Sequence, residues 1–187
     1  MKKFVSLIAC CLMAIAMQAQ DEHLKFMGIP LDGTINQFQS KLLGKGFKLD
    51  AATNSVIGAG CRVFTGIFSG EDAEIYVFFN TKTNIVYRAK AVIDYPNITT
   101  AERGFENFKN SLSKKYSDCS VGHGDEEEGY PAYMLVINDE DMNTVGVIAT
   151  YVSCYSVSLF EDRYCLQLDY MDSTNLAENS DENFEDL

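Results

Sequence analysis

Two stretches of this chain carry helix signals, each followed by a series of β-branched and aromatic segments cut by turn residues, and that order leaves few folds open. Thr34-Ile35-Asn36-Gln37 fits a capping box, in which the Thr34 hydroxyl and the Gln37 side chain each satisfy an orphan amide of the first turn. Ile35, Phe38 and Leu42 follow at helical spacing and Gly46 offers a left-handed stop, so a first helix is expected over 35–45. The same signature returns at Thr99-Thr100-Ala101-Glu102, after Pro96, with Ala101, Phe105, Phe108, Leu112 and Tyr116 on one stripe. A second helix is expected over 100–116.

After the first helix, Arg62 to Phe68, Glu74 to Phe79 and Ile85 to Ile93 read as strands separated by Ser69-Gly70-Glu71-Asp72 and Asn80-Thr81-Lys82-Thr83-Asn84. After the second, Tyr133 to Ile137, Val145 to Tyr151, Tyr155 to Phe160 and Tyr164 to Tyr170 repeat the theme, one strand longer. The expected fold class is α+β: an antiparallel sheet with two helices on one face, built as an α-βββ repeat over 24–95 and an α-ββββ repeat over 96–172 of a single domain spanning 20–172. A shift of 70 residues lays Ile35, Phe38 and Leu42 on Phe105, Phe108 and Leu112, and Ile75 to Phe79 on Val145 to Ala149, the pattern of an old duplication.

Phe26-Met27-Gly28-Ile29-Pro30-Leu31-Asp32-Gly33-Thr34-Ile35, with Phe38, Leu42 and Lys45-Gly46-Phe47 behind it, resembles the opening of a group of small secreted proteins of gut-type Bacteroidetes that have no assigned function. The stretch Tyr164 to Asn175 resembles their ending. The resemblance covers most of 24–175 and implies export and architecture, with no catalytic residue to carry over. In outline the repeat is also similar to those of secreted β-lactamase inhibitor proteins, a likeness of fold and not of function. Physically, Gly28-Ile29-Pro30 is expected to end a short strand and Gly33 to let the backbone turn into the Thr34 cap; a ligand loop at that helix start is the lesser reading.

The compartment is written in the first residues. Lys2 and Lys3, the apolar run Phe4 to Met13 and the small residues after it have the layout of a removable signal peptide over 1–19, cleaved after Ala19 or, alternatively, Ala16. The run is too short to span a bilayer. Leu7-Ile8-Ala9-Cys10 also reads as a lipidation box, but the chain stays apolar past Cys10, so a periplasmic or secreted protein is expected ahead of a lipid-anchored one. Removing 1–19 leaves 13 basic against 27 acidic residues, a net −14, with no basic stripe. That argues against nucleic acid and against an anionic membrane surface. The final stretch, 173–187, with five acidic residues and no basic one, is expected to be a disordered tail.

Four cysteines remain beyond the signal, Cys61, Cys119, Cys154 and Cys165, and an even number in an exported chain suggests disulfides, with buried thiols as the alternative. A tight turn at Phe160-Glu161-Asp162-Arg163 would set Cys154 opposite Asp169 and Cys165 opposite Ser158, which puts a 154–165 bridge out of register. Chemistry is otherwise sparse. The two histidines are His23 and His123; Cys119 near His123 is a weak nucleophile-and-base candidate, because Gly122 and Gly124 around His123 mark an ordinary mobile loop. Asp139-Glu140-Asp141-Met142-Asn143 begins like a calcium loop but has Thr144 where glycine should turn it and Thr150 where the bidentate glutamate should be, so a solvated turn is expected. Asp125-Glu126-Glu127-Glu128 reads as a charged loop. No metal site and no cofactor is expected.

Strand parity yields the candidate site. Ile75, Val77 and Phe79 alternate with Tyr76 and Phe78; Arg88 and Lys90 point away from Tyr87, Ala89, Ala91 and Ile93; Cys165, Gln167 and Asp169 point away from Leu166, Leu168 and Tyr170. The helix-free face would then mix Tyr76 and Phe78 with Arg88, Lys90, Gln167 and Asp169, a composition suited to binding another envelope protein or a small ligand. A non-enzymatic binding protein is the leading expectation; a carboxylate-dependent hydrolase of envelope or dietary polymers and a structural envelope lipoprotein are the alternatives.

Overall fold

The computed structural model describes residues 23–117, 119–122, 130–158 and 161–176. The expected signal peptide with Cys10, the His123 loop with Asp125 to Glu128, and the tail from 177 onward lie outside these residues. In chain order the elements are β1 (Lys25–Phe26), β2 (Ile29–Pro30), α1 (Ile35–Gly44), β3 (Lys48–Leu49), α2 (Ala51–Asn54), β4 (Cys61–Phe68), β5 (Glu71–Phe79), β6 (Val86–Tyr95), α3 (Ile98–Lys115), β7 (Ser120–Gly122), β8 (Ala132–Asn138), β9 (Thr144–Ser158) and β10 (Glu161–Asp172). The fold is α+β, and the pairings are antiparallel throughout.

β1 and β2 form a small hairpin turned by Met27 and Gly28, both left-handed at φ 53° and 76°, which a two-residue hairpin turn requires. The other eight strands form one sheet in the order β3-β4-β5-β6-β10-β9-β8-β7. Each half of the chain supplies four neighbouring strands, and the last long strand of each half, β6 and β10, meets the other at the centre of the sheet.

Both long helices cover one face. Ile35, Phe38 and Leu42 of α1 and Ala101, Phe105 and Leu112 of α3 join Phe64, Ile75, Val77, Ala89, Ala91, Leu166, Leu168 and Ile148 in a single core. Arg62, on the same face, donates to Asn36 and Gln39 of α1 at 2.9 and 2.8 Å. α1 has the expected capping box at Thr34 and Gln37. Gly33 serves that box through space: a Cβ there would lie 3.0 Å from Gln37 Oε1, and its φ is not left-handed.

Several expectations are corrected. α3 begins at Ile98 because Asn97, a stronger cap than Thr99, takes the N-cap and accepts from the Thr100 amide at 3.0 Å. The turn between β4 and β5 is Ser69-Gly70 alone, both left-handed, so β5 starts at Glu71. Val145 to Tyr151 and Tyr155 to Phe160 are not two strands: β9 runs unbroken from Thr144 to Ser158, so the second half has no extra long strand. The 70-residue shift fits the helices, but it sends buried Val77 onto Val147, which lies on the opposite face with Ala149 and Tyr151. In strands an even offset between these halves reverses the side-chain faces.

The first four residues of the expected disordered tail, 173–176, are ordered instead. Residues 173–176 form a helical turn, where the Asn175 amide donates to Asp172 at 3.1 Å and its side chain donates to the Val86 carbonyl at 3.2 Å and to that of Leu31. Asp172, wholly buried, also accepts from the Leu24 amide at 3.0 Å and His23 Nδ1 at 3.1 Å, so one carboxylate ties both ends of the domain together. No described helix is long and apolar enough to cross a membrane.

The packing of α3 on the central strands depends on Gly104. A Cβ there would lie 2.6 Å from Tyr95 Oη and 3.0 Å from its Cζ, and Tyr95 is buried. Helix propensity alone favours alanine over glycine by about 1 kcal/mol, so the sign of Gly104→Ala decides which effect wins. We expect a net loss of about 1–2 kcal/mol in urea unfolding, since overpacking commonly costs 1–3 kcal/mol. Tyr95→Phe, which deletes the nearer clashing atom, should restore part of it in the double variant.

Candidate binding face

Opposite the helices, β5, β6 and β10 align the six residues that strand parity selected. Tyr76 pairs with Lys90, and Lys90 with Asp169; Phe78 pairs with Arg88; Gln167 stands opposite Val92 one step along. All six side chains lie on the helix-free face as one contiguous patch across three adjacent strands.

Asp169 is the deepest member, 2 % exposed. A carboxylate so shielded needs a charged partner, and Arg88 supplies it diagonally, with Nε 2.9 and 3.1 Å from the two oxygens and Nη2 on Oδ2. The bond to Asp169 holds the Arg88 guanidinium above its ordinary pKa. The Arg88 guanidinium also lies 5.0 Å from the Phe78 ring centre.

Lys90 is the second hub. Its amine donates to Gln167 Oε1 at 2.9 Å and sits 5.7 Å from the Tyr76 ring centre. Burial pushes the Lys90 ammonium below its ordinary pKa, with the negative charge of Asp169 opposing that shift. Tyr76 donates to Glu74 at 2.7 Å, and burial together with that carboxylate pushes the phenol well above the usual tyrosine range.

Gln167 spreads the network onto β9. Its Oε1 accepts from Tyr151 at 2.9 Å, and its Nε2 donates to Ser153 Oγ at 2.9 Å; Ser153 Oγ lies 3.0 Å from Cys165 Sγ. Tyr155 donates to Asp94 at 3.0 Å. Tyr151, Ser153, Tyr155, Glu74 and Asp94 therefore belong to this face as much as the expected six. For Tyr151, Ser153 and Tyr155 the signal was available in the odd parity of β9, which emerges once that strand is read as unbroken, and for Glu74 and Asp94 in the even parity they share with Tyr76 on β5 and Lys90 on β6.

The cysteines are placed differently from the disulfide expectation. No disulfide joins any two of Cys61, Cys119, Cys154 and Cys165. The register of β9 on β10 sets Tyr164 opposite Cys154 and Ser153 opposite Cys165, in place of the expected Asp169 and Ser158. Cys154 and Cys165 thus sit one position apart on opposite faces, so they remain out of bridging register for a different reason. Cys61 pairs with Phe78 on the helix-free face, and burial raises its thiol pKa.

The other sequence candidates do not join the patch. The carboxylate of Asp139 is occupied by the amide and side chain of Asn143, at 2.8 and 3.0 Å, which makes 139–143 a hairpin turn and holds that carboxyl below its ordinary pKa. Among the described residues no three His, Cys, Asp or Glu side chains come together in a group that could hold a metal ion. His123, the partner weighed for Cys119, lies outside the described residues. No family model, curated protein or solved structure matches the chain.

The Arg88–Asp169 pair generates a stability prediction. Arg88→Met leaves a shielded carboxylate without its cation and should cost about 2 kcal/mol in urea unfolding, less than a fully buried pair because the arginine is partly solvated. Arg88→Met combined with Asp169→Leu should recover most of that loss; a double variant no more stable than Arg88→Met would contradict the pairing. A second check concerns the thiols. Iodoacetamide added to the protein unfolded in guanidinium without reductant should label Cys61, Cys119, Cys154 and Cys165, and any pair that labels only after reduction would contradict the structure.

Proposed function

We propose that this chain is an exported, non-enzymatic binding protein that receives another envelope protein or a small ligand on the helix-free face of its sheet. The observation that supports this reading is the patch itself. Tyr76, Phe78, Arg88, Lys90 and Gln167 form a continuous aromatic and polar surface on the face away from α1 and α3, with the buried Asp169 holding Arg88 in place beneath it.

The physical case rests on how the side chains are held. A solvated sheet face ordinarily carries separate, mobile polar groups. Here the charged and amide groups are fixed to one another through Arg88–Asp169 and Lys90–Gln167, with two aromatic rings under the cations. Such groups lose little conformational freedom when a partner arrives, which lowers the cost of association. Tyrosine and arginine are also the residue types that most often dominate binding energy.

The test is capture of partners from the cell envelope with the protein as bait, comparing the native chain with Tyr76→Ala plus Phe78→Ala. The expected outcome is a specific partner that the double variant fails to retain while remaining folded by circular dichroism. Unchanged retention by the folded variant would overturn the assignment of this face.

A further inference from the structure

At the end of the helix-free face nearest the β4–β5 turn, the charge balance changes. A hollow of about 270 Å³ opens there, lined by Thr65 of β4, Asp72 and Glu74 of β5, and Val92 and Asp94 of β6. Strand pairing sets Thr65 opposite Glu74 and Glu74 opposite Val92, so these side chains share the face that carries Tyr76 and Lys90. Ile67, opposite Asp72, stands beside them and is 59 % exposed.

Two of the three carboxylates have a partner, and in each case it is a phenol: Tyr76 on Glu74 and Tyr155 on Asp94. Among the described residues none of the three forms an ion pair. The cations of this face, Lys48, Arg88, Lys90 and Arg163, do not line the hollow. Arg88 and Lys90 are instead engaged at Asp169 and Gln167.

We propose that this hollow receives a lysine or arginine side chain of the partner protein, its cationic head among Asp72, Glu74 and Asp94 and its methylene stem along Val92 and Ile67. The inference rests on the binding-face reading above and names the partner chemistry at one end of it. The three carboxylates do not form a group that could share a metal ion. They surround a space large enough for an ammonium or guanidinium on a flexible stem, the shape in which a long basic side chain buries its stem and keeps its charge solvated or paired. A partner lacking a basic residue at this place would cover three carboxylates without supplying them a cation, so the hollow also discriminates between partners.

The closing experiment uses Nα-acetyl-arginine methylamide as the probe, with Nα-acetyl-glutamine methylamide as its uncharged control, titrated into the isotope-labelled protein by NMR. The expected result is amide shifts concentrated at Thr65, Ile67, Asp72, Glu74, Val92 and Asp94 with the arginine probe alone, and at least a tenfold weaker response in the Asp72→Asn, Glu74→Gln, Asp94→Asn variant. Shifts scattered over other acidic surface, equal shifts with the glutamine control, or no shifts at all would overturn the inference. The same triple variant in the envelope capture separates the two claims. A variant that stays folded and keeps its partner, while Tyr76→Ala with Phe78→Ala loses it, rejects the basic-side-chain site and leaves the binding face standing. Partner retention by Tyr76→Ala with Phe78→Ala instead rejects the binding face, and the probe titration alone then decides the hollow.

Discussion

The pairing of β6 with β10 is the constraint on which the rest of the molecule depends. It is the one long seam between the two halves of the chain, and eight residue pairs define it from Tyr95–Tyr164 to Arg88–Met171. Its register decides both faces at once. Ala89, Ala91 and Ile93 of β6 and Leu166, Leu168 and Tyr170 of β10 face the helices and complete the core. Arg88, Lys90, Gln167 and Asp169 are thereby sent to the other side. A slip of one residue on either strand would bury charged groups under α3 and expose aliphatic ones, so the hydrophobic pattern specifies the seam strongly.

The two faces are stabilised by different physics. On the helix side, side chains such as Phe26, Phe38, Phe64, Ile35 and Ile75 are wholly removed from water, a contribution of roughly 1.5–3 kcal/mol each. On the other side, the shielded Asp169 and half-buried Lys90 bear desolvation costs that their partners offset without large surplus. What that arrangement contributes is geometry: a set of polar groups locked in place across three strands. Replacing such a network by well-packed apolar side chains is often neutral or stabilising, so its fixed polar geometry, and not its stability, is the feature on which the proposed recognition role of this face rests.

Strand parity was enough to find the six residues of the patch, because period-two alternation survives without tertiary information. The capping box of α1 was equally readable, since all of its partners lie within four residues. What failed was non-local or finely balanced. Asn97 outcompeted Thr99 for the start of α3. Residues 152–154 fall between two expected strands, yet they continue β9, and the Ser153 hydroxyl accepts from Gln167 on the neighbouring strand. Asn175 looked like part of a polar tail, yet its amide bonds carbonyls at Leu31 and Val86, far away in sequence. The Arg88–Asp169 bond spans 81 residues and follows only from the register of the seam.

That register is what an NMR structure determination would test most directly, through backbone NOEs across the central seam. The account predicts contacts linking Lys90 to Asp169 and Val92 to Gln167. Contacts linking Lys90 instead to Leu168 or Tyr170 would place the two strands one residue out of step, send the side chains of one strand to the opposite face, and contradict both the core and the polar patch described above.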